Sequence, residues 1–308
     1  MSRRAAPDRQ ARAARVDLTG RTVIVSGASP GSLGFATAQA LADWGARVVV
    51  TTRTATDATV GQLTTAGRTV VGHPLDLTDA ASVARFADWF ADTQGNALDV
   101  LVNNAGVHLD LRSKWTQPRL TPDGYEIHWR TNYLGTMHLT ARLLPALVAA
   151  GAATGDARIV TVVSKLHVRG RNEFLFKALE PYHSWDAYGL SKLALVHASH
   201  QLATREAESG VRAYTLHPGS VFSHIADKGL EESRLLGGLR KVFAPIESRM
   251  LLSPEQGAQT TLHCATAAEL PSGYYRACAP ADPSAEAHDT AVGARLWDET
   301  RTWIETLG

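Results

Sequence analysis

Tyr188 and Lys192 are the residues whose types and spacing point most directly to chemistry. They are four residues apart in a stretch with helical character, and residues at this spacing share one helix face. A phenol has a pKa of about 10 and is not a base at neutral pH, whereas a neighbouring ammonium favours the phenolate. The pair therefore predicts a role in proton transfer. The same spacing also occurs on ordinary solvated helices, so the pair alone leaves both interpretations open.

A glycine-rich turn, Gly27, Gly31 and Gly34, separates an apolar run from an alanine-rich helical segment. A strand, glycine turn and helix in this order let the backbone approach a pyrophosphate, which the helix N-terminus attracts. The stretch Gly27-Ala-Ser-Pro-Gly31 also matches the G-x-S-x-G nucleophile elbow of hydrolases. An elbow needs earlier strands, and only a short, mostly polar segment precedes Gly27. Dinucleotide binding is therefore the favoured interpretation.

The end of the second apolar run carries a base rather than an acid. It reads Thr51-Thr52-Arg53, with no carboxylate before Asp57. In dinucleotide folds an acid at this place accepts from the ribose 2′-hydroxyl, whereas a base accommodates a 2′-phosphate. A guanidinium with two small hydroxyls suits a phosphate, which favours NADP over NAD.

Short β-branched runs alternate with helical segments, and this alternation predicts one α/β domain with a doubly wound parallel sheet, a Rossmann fold, over residues 18–308. The basic residues 1–17 lack an apolar core and predict a flexible tail rather than a secretory signal. The predicted strands are Arg21–Ser26, Arg47–Thr52, Thr69–His73, Val100–Val102, Arg158–Val163 and Val211–Leu216. The predicted helices open at Gly31–Gly34 and cover Asp79–Asp92, Tyr125–Leu147 and Tyr188–Ala207.

Composition narrows the class of protein. The 308 residues hold 31 basic and 30 acidic side chains, a formal net charge of +1, and 44% are apolar. A near-neutral chain argues against a nucleic-acid binder. No run approaches the roughly 18 apolar residues of a membrane span. The two cysteines, Cys264 and Cys278, cannot assemble a four-ligand metal cluster, so no metal site is expected, and they are typical of a reduced, cytoplasmic setting.

Six motifs follow one another along the chain. They are the glycine turn, Asp76-Leu77, Asn103-Asn104-Ala105-Gly106, Asn132, Ser164 with Tyr188-Gly-Leu-Ser-Lys192, and Pro218-Gly219. In this order they resemble the motifs of the short-chain dehydrogenase/reductases, over roughly residues 18–280. Three further features resemble the retinol-dehydrogenase-like branch of that family: the segment Thr121–Tyr125, the interval from Ser164 to Tyr188, and the segment Pro254–Gln259.

The resemblance implies an NADP-dependent enzyme that interconverts an alcohol and its aldehyde or ketone, a ketoreductase-type activity on a lipophilic small molecule. It implies that Tyr188 is the general acid/base and that Lys192 lowers its pKa and binds the nicotinamide ribose. Ser164 would hold the substrate oxygen, and Asn132 would support a water that relays protons to Lys192. It also implies homo-oligomers that associate through helices flanking the sheet. The implied cofactor-binding residues are Gly27, Ser29, Gly31, Leu33, Gly34, Arg53, Asp76, Leu77, Asn104, Ala105, Gly106, Tyr188, Lys192, Pro218, Gly219, Val221 and Ser223.

Some features depart from the family pattern and keep alternatives open. Gly31 and Gly34 are three residues apart where the family usually has two, and Lys165 replaces a commoner serine. A cofactor-binding sensor or scaffold, and non-redox work such as cyclisation or dehydration, are the two alternatives. The apolar stretch of about residues 222–252 predicts a mobile lid over a lipophilic substrate. His108 lies near the expected pocket and is assigned no role.

Overall fold

A computed structural model of the chain describes residues 12–64, 67–110, 115–219 and 252–307. In these ranges eight strands form one sheet in the order β3-β2-β1-β4-β5-β6-β7-β8. Neighbouring strands are parallel from β3 to β7, and only the β7–β8 pair is antiparallel. The predicted doubly wound parallel sheet is confirmed. The strands are β1 Thr22–Ser26, β2 Arg47–Thr52, β3 Val70–Pro74, β4 Val100–Asn103, β5 Ala157–Val162, β6 Val211–His217, β7 Gly273–Arg276 and β8 Ala279–Pro280.

Helices cover both faces of the sheet, which explains why its strands are apolar throughout. Alternate residues point to opposite faces: Val23 and Val25 of β1 pack in one core cluster, and Ile24 packs in another. Helices α1 and α6 cover the first face, and α3, α4 and α5 cover the second. The helices are α1 Leu33–Asp43, α2 Thr56–Leu63, α3 Ala80–Gln94, α4 Gly135–Thr154, α5 Ser184–Arg205, α6 Pro254–Thr266 and α7 Thr290–Glu305.

The chain reverses direction across the sheet between β1 and β4. It runs outward from β1 to β3 and then returns to β4 beside β1. In open α/β sheets this switch point leaves a crevice outside the carboxyl ends of the strands, where ligands bind. The topology therefore places the glycine turn after β1 next to the Asn104–Gly106 segment after β4.

The predicted helix Tyr125–Leu147 is wrong at both ends. A turn precedes it, in which the Thr121 amide donates to the Tyr125 carbonyl oxygen at 2.8 Å. A π-helical turn, Trp129–Leu134, then leads into α4, which continues past Pro145 to Thr154. Leu143 and Leu147 on either side of the proline are buried in the core, so packing keeps this helix intact where the proline alone would favour a break.

Part of the basic N-terminal segment lies against the domain. Residues 12–17 are described, and the Ala13 amide donates to Gln259 Oε1 at 3.0 Å. The Arg15 guanidinium donates to the Asp43 carbonyl oxygen at 2.8 Å, and Val16 packs on the core. The arginines before residue 12 lie outside the described residues. Across the described ranges, none of the helices is both long enough and apolar enough to span a membrane.

Gly135 is a test of how tightly α4 packs beside the crevice. A Cβ on Gly135 would overlap the carbonyl oxygen of Leu77 and lie 2.7 Å from the Leu77 Cβ. We expect Gly135→Ala to lower the free energy of unfolding by roughly 1–3 kcal/mol through overpacking. In exposed α2, Gly61 has no atom within 4 Å of such a Cβ. Gly61→Ala should therefore raise the free energy of unfolding by about 0.5–1 kcal/mol. Urea unfolding of both variants checks this, and equal effects would contradict it.

Candidate active site

A cleft of about 320 Å³ lies at the carboxyl ends of β1, β2 and β4, at the switch point of the sheet. Seven of the residues expected to bind a cofactor line it, together with Thr131, Val107, Leu109 and Ile127, which the sequence motifs did not indicate. The structure therefore brings together residues that are far apart in the chain. The seven expected lining residues are Gly27, Ser29, Arg53, Asp76, Leu77, Ala105 and Gly106.

The glycine turn packs directly on the segment after β4. Gly27 has φ +70°, and a Cβ on it would lie 2.7 Å from the Ala105 Cα. A Cβ on Gly34 would overlap the Asn104 side-chain amide and lie 2.6 Å from the Gly27 carbonyl oxygen. Gly27 and Gly34 are thus required by close backbone approach. Gly31, with φ +73°, makes the turn between them.

The three-residue interval between Gly31 and Gly34 supplies a helix cap. Ser32 is the N-cap of α1, and its Oγ accepts from the Phe35 amide at 3.1 Å. Leu33 and Gly34 then form the first turn of α1. The N-terminus of this helix attracts anions, so the unusual interval keeps the anion-binding end of α1 intact.

Ser26 is a structural part of the site that is not among the expected cofactor-binding residues. Its Oγ accepts from the amides of Asn104 and Ala105 at 3.1 and 3.0 Å. Asn104 Nδ2 in turn donates to the carbonyl oxygens of Ser26 and Gly27, at 2.8 and 3.0 Å. Asn104 therefore ties the two loops together beside the cleft rather than lining it. In the sequence, the hydroxyl of Ser26 at the carboxyl end of a buried strand was the feature that could have indicated this role.

The two threonines before Arg53 line the cleft with it, but both are almost fully buried. Thr51 and Thr52 are 1% and 3% exposed. Thr52 Oγ1 accepts from the Ala55 amide at 3.1 Å and shares a hydrogen bond with Thr56 at 3.0 Å. Its hydroxyl is thus used to start α2. The guanidinium of Arg53, which is exposed and lines the cleft, remains as the group suited to a phosphate.

Asp76 and Leu77 are held in place by polar contacts on both sides. Asp76 Oδ1 accepts from Thr78 Oγ1 at 2.7 Å and from its amide at 2.9 Å. The Leu77 carbonyl oxygen accepts from Arg130 at 2.7 Å, and Arg130 is buried and paired with Asp123 at 2.6 Å. This arrangement fixes the wall of the cleft opposite the glycine turn.

The four expected catalytic residues form a chain of contacts that reaches Gly106. Tyr188 and Lys192 are buried on α5, and Lys192 Nζ lies 5.8 Å from the centroid of the Tyr188 ring. A hydrogen bond joins Ser164, just after β5, to Tyr188. Asn132 on the π-helical turn is wholly buried. A Cβ on Gly106 would lie 3.2 Å from both Asn132 Oδ1 and Lys192 Nζ.

Direct backbone contact between α5 and the 3₁₀ turn Lys165–Arg169 places Ser164 beside Tyr188. A Cβ on Gly189 would lie 2.6 Å from the Leu166 carbonyl oxygen, and one on Gly170 would lie 2.8 Å from the Leu193 Cβ. The two glycines therefore let the turn and the helix touch. Lys165, at the start of this turn, is exposed.

Burial controls the electrostatics of the pair. Desolvation raises the pKa of Tyr188 to about 12, and the hydrogen bond with Ser164 only partly opposes it. Desolvation also lowers the pKa of Lys192 to about 8, and its Nζ donates to the Val162 carbonyl oxygen at 3.2 Å. The structure therefore gives a net rise in the pKa of Tyr188 where the spacing predicts a lowering, because the phenol is removed from water. The phenol is protonated at neutral pH.

The last expected cofactor residues lie after β6. Gly219 has φ +86°, and its amide donates to His217 Nδ1 at 3.0 Å. Pro218 precedes it at the carboxyl end of the strand. Val221, Ser223 and the expected lid of about residues 222–252 lie outside the described residues, apart from Leu252.

The described residues suit a nicotinamide dinucleotide. Gly106 leaves an open place beside Lys192 and Asn132 that a side chain would fill. Thr131 lines the cleft with a buried hydroxyl that has no hydrogen-bond partner in the described part of the chain. The exposed Arg53 guanidinium and the N-terminus of α1 add two anion-binding groups.

Comparison with known proteins agrees with this geometry. A family model described as short chain dehydrogenase matches residues 21–233. Human retinol dehydrogenase 11 is 37% identical over 294 residues, which cover 92% of this chain and 85% of that protein. Mouse polyprenol dehydrogenase is 36% identical over 295 residues, which cover 91% of this chain and 82% of that protein.

Solved structures share the fold over most of the chain. An uncharacterized protein from Mycobacterium paratuberculosis has a TM-score of 0.70 at 30% identity, covering 94% of this chain and 95% of its own. The RhlG/NADP active-site complex of Pseudomonas aeruginosa has a TM-score of 0.64 at 25% identity, covering 88% of this chain and 98% of its own.

The buried Lys192 should make stability depend on pH. Its pKa is about 8 in the folded protein against an ordinary 10.5, so the unfolded chain holds this proton more tightly. Burial of the charge therefore lowers the free energy of unfolding below pH 8, and this cost disappears as the pH rises from 8 to 10.5. Each unit of pKa shift is worth ~1.36 kcal/mol. The free energy of unfolding of Lys192→Met should therefore exceed that of wild type by on the order of 3 kcal/mol at pH 7.

Urea unfolding at several pH values between 7 and 10.5 measures this effect. The advantage of Lys192→Met should shrink steadily over that interval. The same change at exposed Lys165 controls for the loss of a lysine. An advantage that does not vary with pH would show that Lys192 is not charged in a desolvated site.

Proposed function

Because the chain belongs to the short-chain dehydrogenase/reductase family, we propose that it reduces lipophilic aldehydes or ketones, and oxidises the matching alcohols, with NADP(H) as cofactor and Tyr188 as general acid/base. Membership in the retinol-dehydrogenase-like branch makes it an NAD(P)-dependent alcohol/aldehyde oxidoreductase. The choice of NADP, the role of Tyr188 and the lipophilic substrate are the proposed parts.

One observation carries the proposal: Ser164 contacts Tyr188, Tyr188 lies next to Lys192, and Lys192 and Asn132 meet beside Gly106. When bound, the reduced dinucleotide supplies a hydride. The protonated phenol of Tyr188, with its pKa raised to about 12, gives its proton to the oxygen of the carbonyl as negative charge develops there. A positioned acid of this kind typically contributes about 10²–10⁴-fold in rate.

Ser164 and Lys192 support that proton transfer from two sides. The Ser164 hydroxyl, hydrogen-bonded to Tyr188, is placed to hold the substrate oxygen next to the phenol. Lys192 is mostly charged at neutral pH, since burial lowers its pKa only to about 8, and its charge stabilises the phenolate left after proton transfer. Its position beside Gly106 suits a hydrogen bond to the nicotinamide ribose.

Asn132 is suited to connect Lys192 with solvent through a water. Its Oδ1 accepts from the Val107 amide at 2.7 Å, and its Nδ2 donates to the Val107 carbonyl oxygen and to Ser191 Oγ at 3.0 and 3.1 Å. A carbonyl-type oxygen accepts a second hydrogen bond, so Oδ1 keeps capacity for a water next to Lys192. This role supports return of a proton to Tyr188 after each turnover.

Arg53 supports NADP as the cofactor. Its guanidinium lines the cleft at the end of β2, where a dinucleotide fold meets the adenosine ribose. No hydrogen bond or ion pair within the described ranges occupies it. The nearest carboxylate in sequence, Asp57, lies in the first turn of α2. The RhlG complex, which shares the fold, contains NADP.

The names of the relatives support a lipophilic substrate. Retinol and polyprenol, which appear in those names, are long apolar alcohols. All-trans-retinal and long-chain aldehydes are therefore the first compounds to test. The cytoplasmic setting and homo-oligomers stay predictions, and both cysteines are free thiols.

Tyr188→Phe tests the proposed acid/base. We expect the variant to lose NADPH-dependent reduction of lipophilic aldehydes by at least about 10²-fold, because no proton donor remains at the reacting oxygen. NADPH affinity, measured by the rise in nicotinamide fluorescence, should stay within about threefold of wild type. Turnover retained by the variant would remove Tyr188 from this role. Tight NADPH binding by wild type without turnover of any carbonyl would favour the sensor alternative.

Arg53→Asp tests the choice of cofactor. The substitution removes a partner of the 2′-phosphate and adds an acceptor for a 2′-hydroxyl. We expect kcat/KM for NADPH to fall and that for NADH to rise, so that their ratio changes by at least about 10²-fold, which is ~2.7 kcal/mol. Arg85→Asp, at an exposed position of α3 outside the cleft, is the matched control. An unchanged ratio in Arg53→Asp would show that Arg53 does not select the cofactor.

A further inference from the structure

A buried cluster of rings lies against Tyr188 and takes no part in the proton transfer described above. The imidazole of His108 stacks on the phenol ring, with centroids 4.1 Å and planes 14° apart. Trp185 meets His108 edge-on at 5.0 Å. His128 lies edge-on to both His108 and Tyr188, at 6.0 and 6.1 Å. His108 is only 6% exposed, so this stack is closed to solvent.

The backbone on both sides of His108 is anchored. On one side, the Val107 amide donates to Asn132 Oδ1 at 2.7 Å. On the other, the Leu109 amide donates to His128 Nε2 at 2.9 Å. One residue further, Ser184 Oγ donates to the Asp110 carbonyl oxygen at 3.1 Å. The ring of His108 is therefore held in one place relative to α5, which carries Tyr188.

A buried carboxylate–imidazole pair fixes the second anchor. His128 is wholly buried, and its Nε2 carries no hydrogen because it accepts from Leu109. Its proton is therefore on Nδ1, which donates to Glu126 Oε1 at 2.7 Å. Glu126 is itself held, since its Oε2 accepts from the Trp129 amide at 2.8 Å and its Oε1 accepts from Tyr182 at 3.1 Å.

From this geometry we propose that His108 is a positioning residue for Tyr188, and that the Glu126–His128 pair holds His108 in place. The inference rests on the proposed role of Tyr188 as general acid/base. A stacked ring limits rotation of the phenol and keeps its oxygen aimed at the reacting oxygen. A displacement of about 1 Å at a reacting group can cost about 10²-fold in rate.

The face of the imidazole, rather than its polarity, does the positioning. His108 Nε2 is buried and has no hydrogen-bond partner in the described part of the chain. A phenylalanine at this position would keep the flat ring against Tyr188 and remove the unpartnered nitrogen. A stacking role therefore predicts different effects for alanine and phenylalanine at position 108. A chemical need for histidine would predict that both substitutions lower activity.

His108→Ala and His108→Phe provide the kinetic test. With NADPH and an aldehyde that wild type reduces, we expect His108→Ala to lower kcat by about 10- to 100-fold. Its KM for the aldehyde and its affinity for NADPH should stay within about threefold of wild type. His108→Phe should keep kcat within about threefold. His128→Phe should lower kcat in the same direction as His108→Ala, because it removes the acceptor of the Leu109 amide.

His138→Ala is the matched control. His138, on α4, is also a buried histidine, and its Nδ1 has no hydrogen-bond partner among the described residues. Its ring meets the ring of Trp303 edge-on, with centroids 6.2 Å apart. Its substitution should lower the thermal midpoint without changing kcat. If His108→Ala loses only thermal stability, as His138→Ala does, the positioning role is wrong. If His108→Phe is as slow as His108→Ala, the stacked face is not what matters and the inference also fails.

An NMR signal of Tyr188 gives a readout that needs no turnover. In protein labelled with ring-¹³C tyrosine, seven tyrosines give resonances, and the one missing in Tyr188→Phe identifies Tyr188. Because a stacked ring shields the protons beneath it, His108→Ala should shift this signal downfield and His108→Phe should not. An unmoved signal in His108→Ala would contradict the stack.

The same set of variants separates this inference from the proposed function. Turnover retained in Tyr188→Phe would overturn the proposed function, and with it the need to position Tyr188. An inactive Tyr188→Phe together with a His108→Ala whose kcat equals that of wild type would overturn only the positioning role of His108.

Discussion

Burial of Lys192 is the constraint on which the rest of the candidate site depends. Burying the charge of a lysine that is only 4% exposed is costly unless a polar group accepts a hydrogen bond from it, and the Val162 carbonyl oxygen does so at 3.2 Å. That contact fixes α5 against the carboxyl end of β5. Tyr188, one turn earlier on the same face, then shares these closed surroundings, and its phenol stays protonated. The capacity to donate a proton thus follows from packing as much as from residue type.

The strands could be read from the sequence because β-branched runs buried on both faces carry an unambiguous signal. The stretch after the Thr121–Tyr125 turn could not. A π-helical turn closes i→i+5 rather than i→i+4 hydrogen bonds and so holds one extra residue. A single six-residue turn is too short to show that longer period in the sequence. Packing of Leu143 and Leu147 also keeps α4 helical beyond Pro145. Here tertiary contacts outweigh the tendency of proline to end a helix, and the local sequence does not show such contacts.

The candidate site was predictable where the chemistry requires a residue type at a spacing, as for Tyr188 and Lys192. It was not predictable where environment decides. The spacing suggests a lowered pKa for the phenol, whereas burial raises it. The long interval between Gly31 and Gly34 looked like a departure from the glycine pattern, and Ser32 within it is a helix cap. The role of His108 could not be predicted, because nothing in the sequence shows that its ring stacks on Tyr188, with centroids 4.1 Å apart.

The two outermost strands of the sheet each end in a proline, Pro74 in β3 and Pro280 in β8. Proline has no N–H to offer an incoming strand, and β8 is only two residues long. Both open rims are thus poor templates for an added strand. Sheet extension is a common first step of amyloid-like aggregation, and it is disfavoured at both rims. The helix-lined faces are then the surfaces where copies of this enzyme could meet without misassembly.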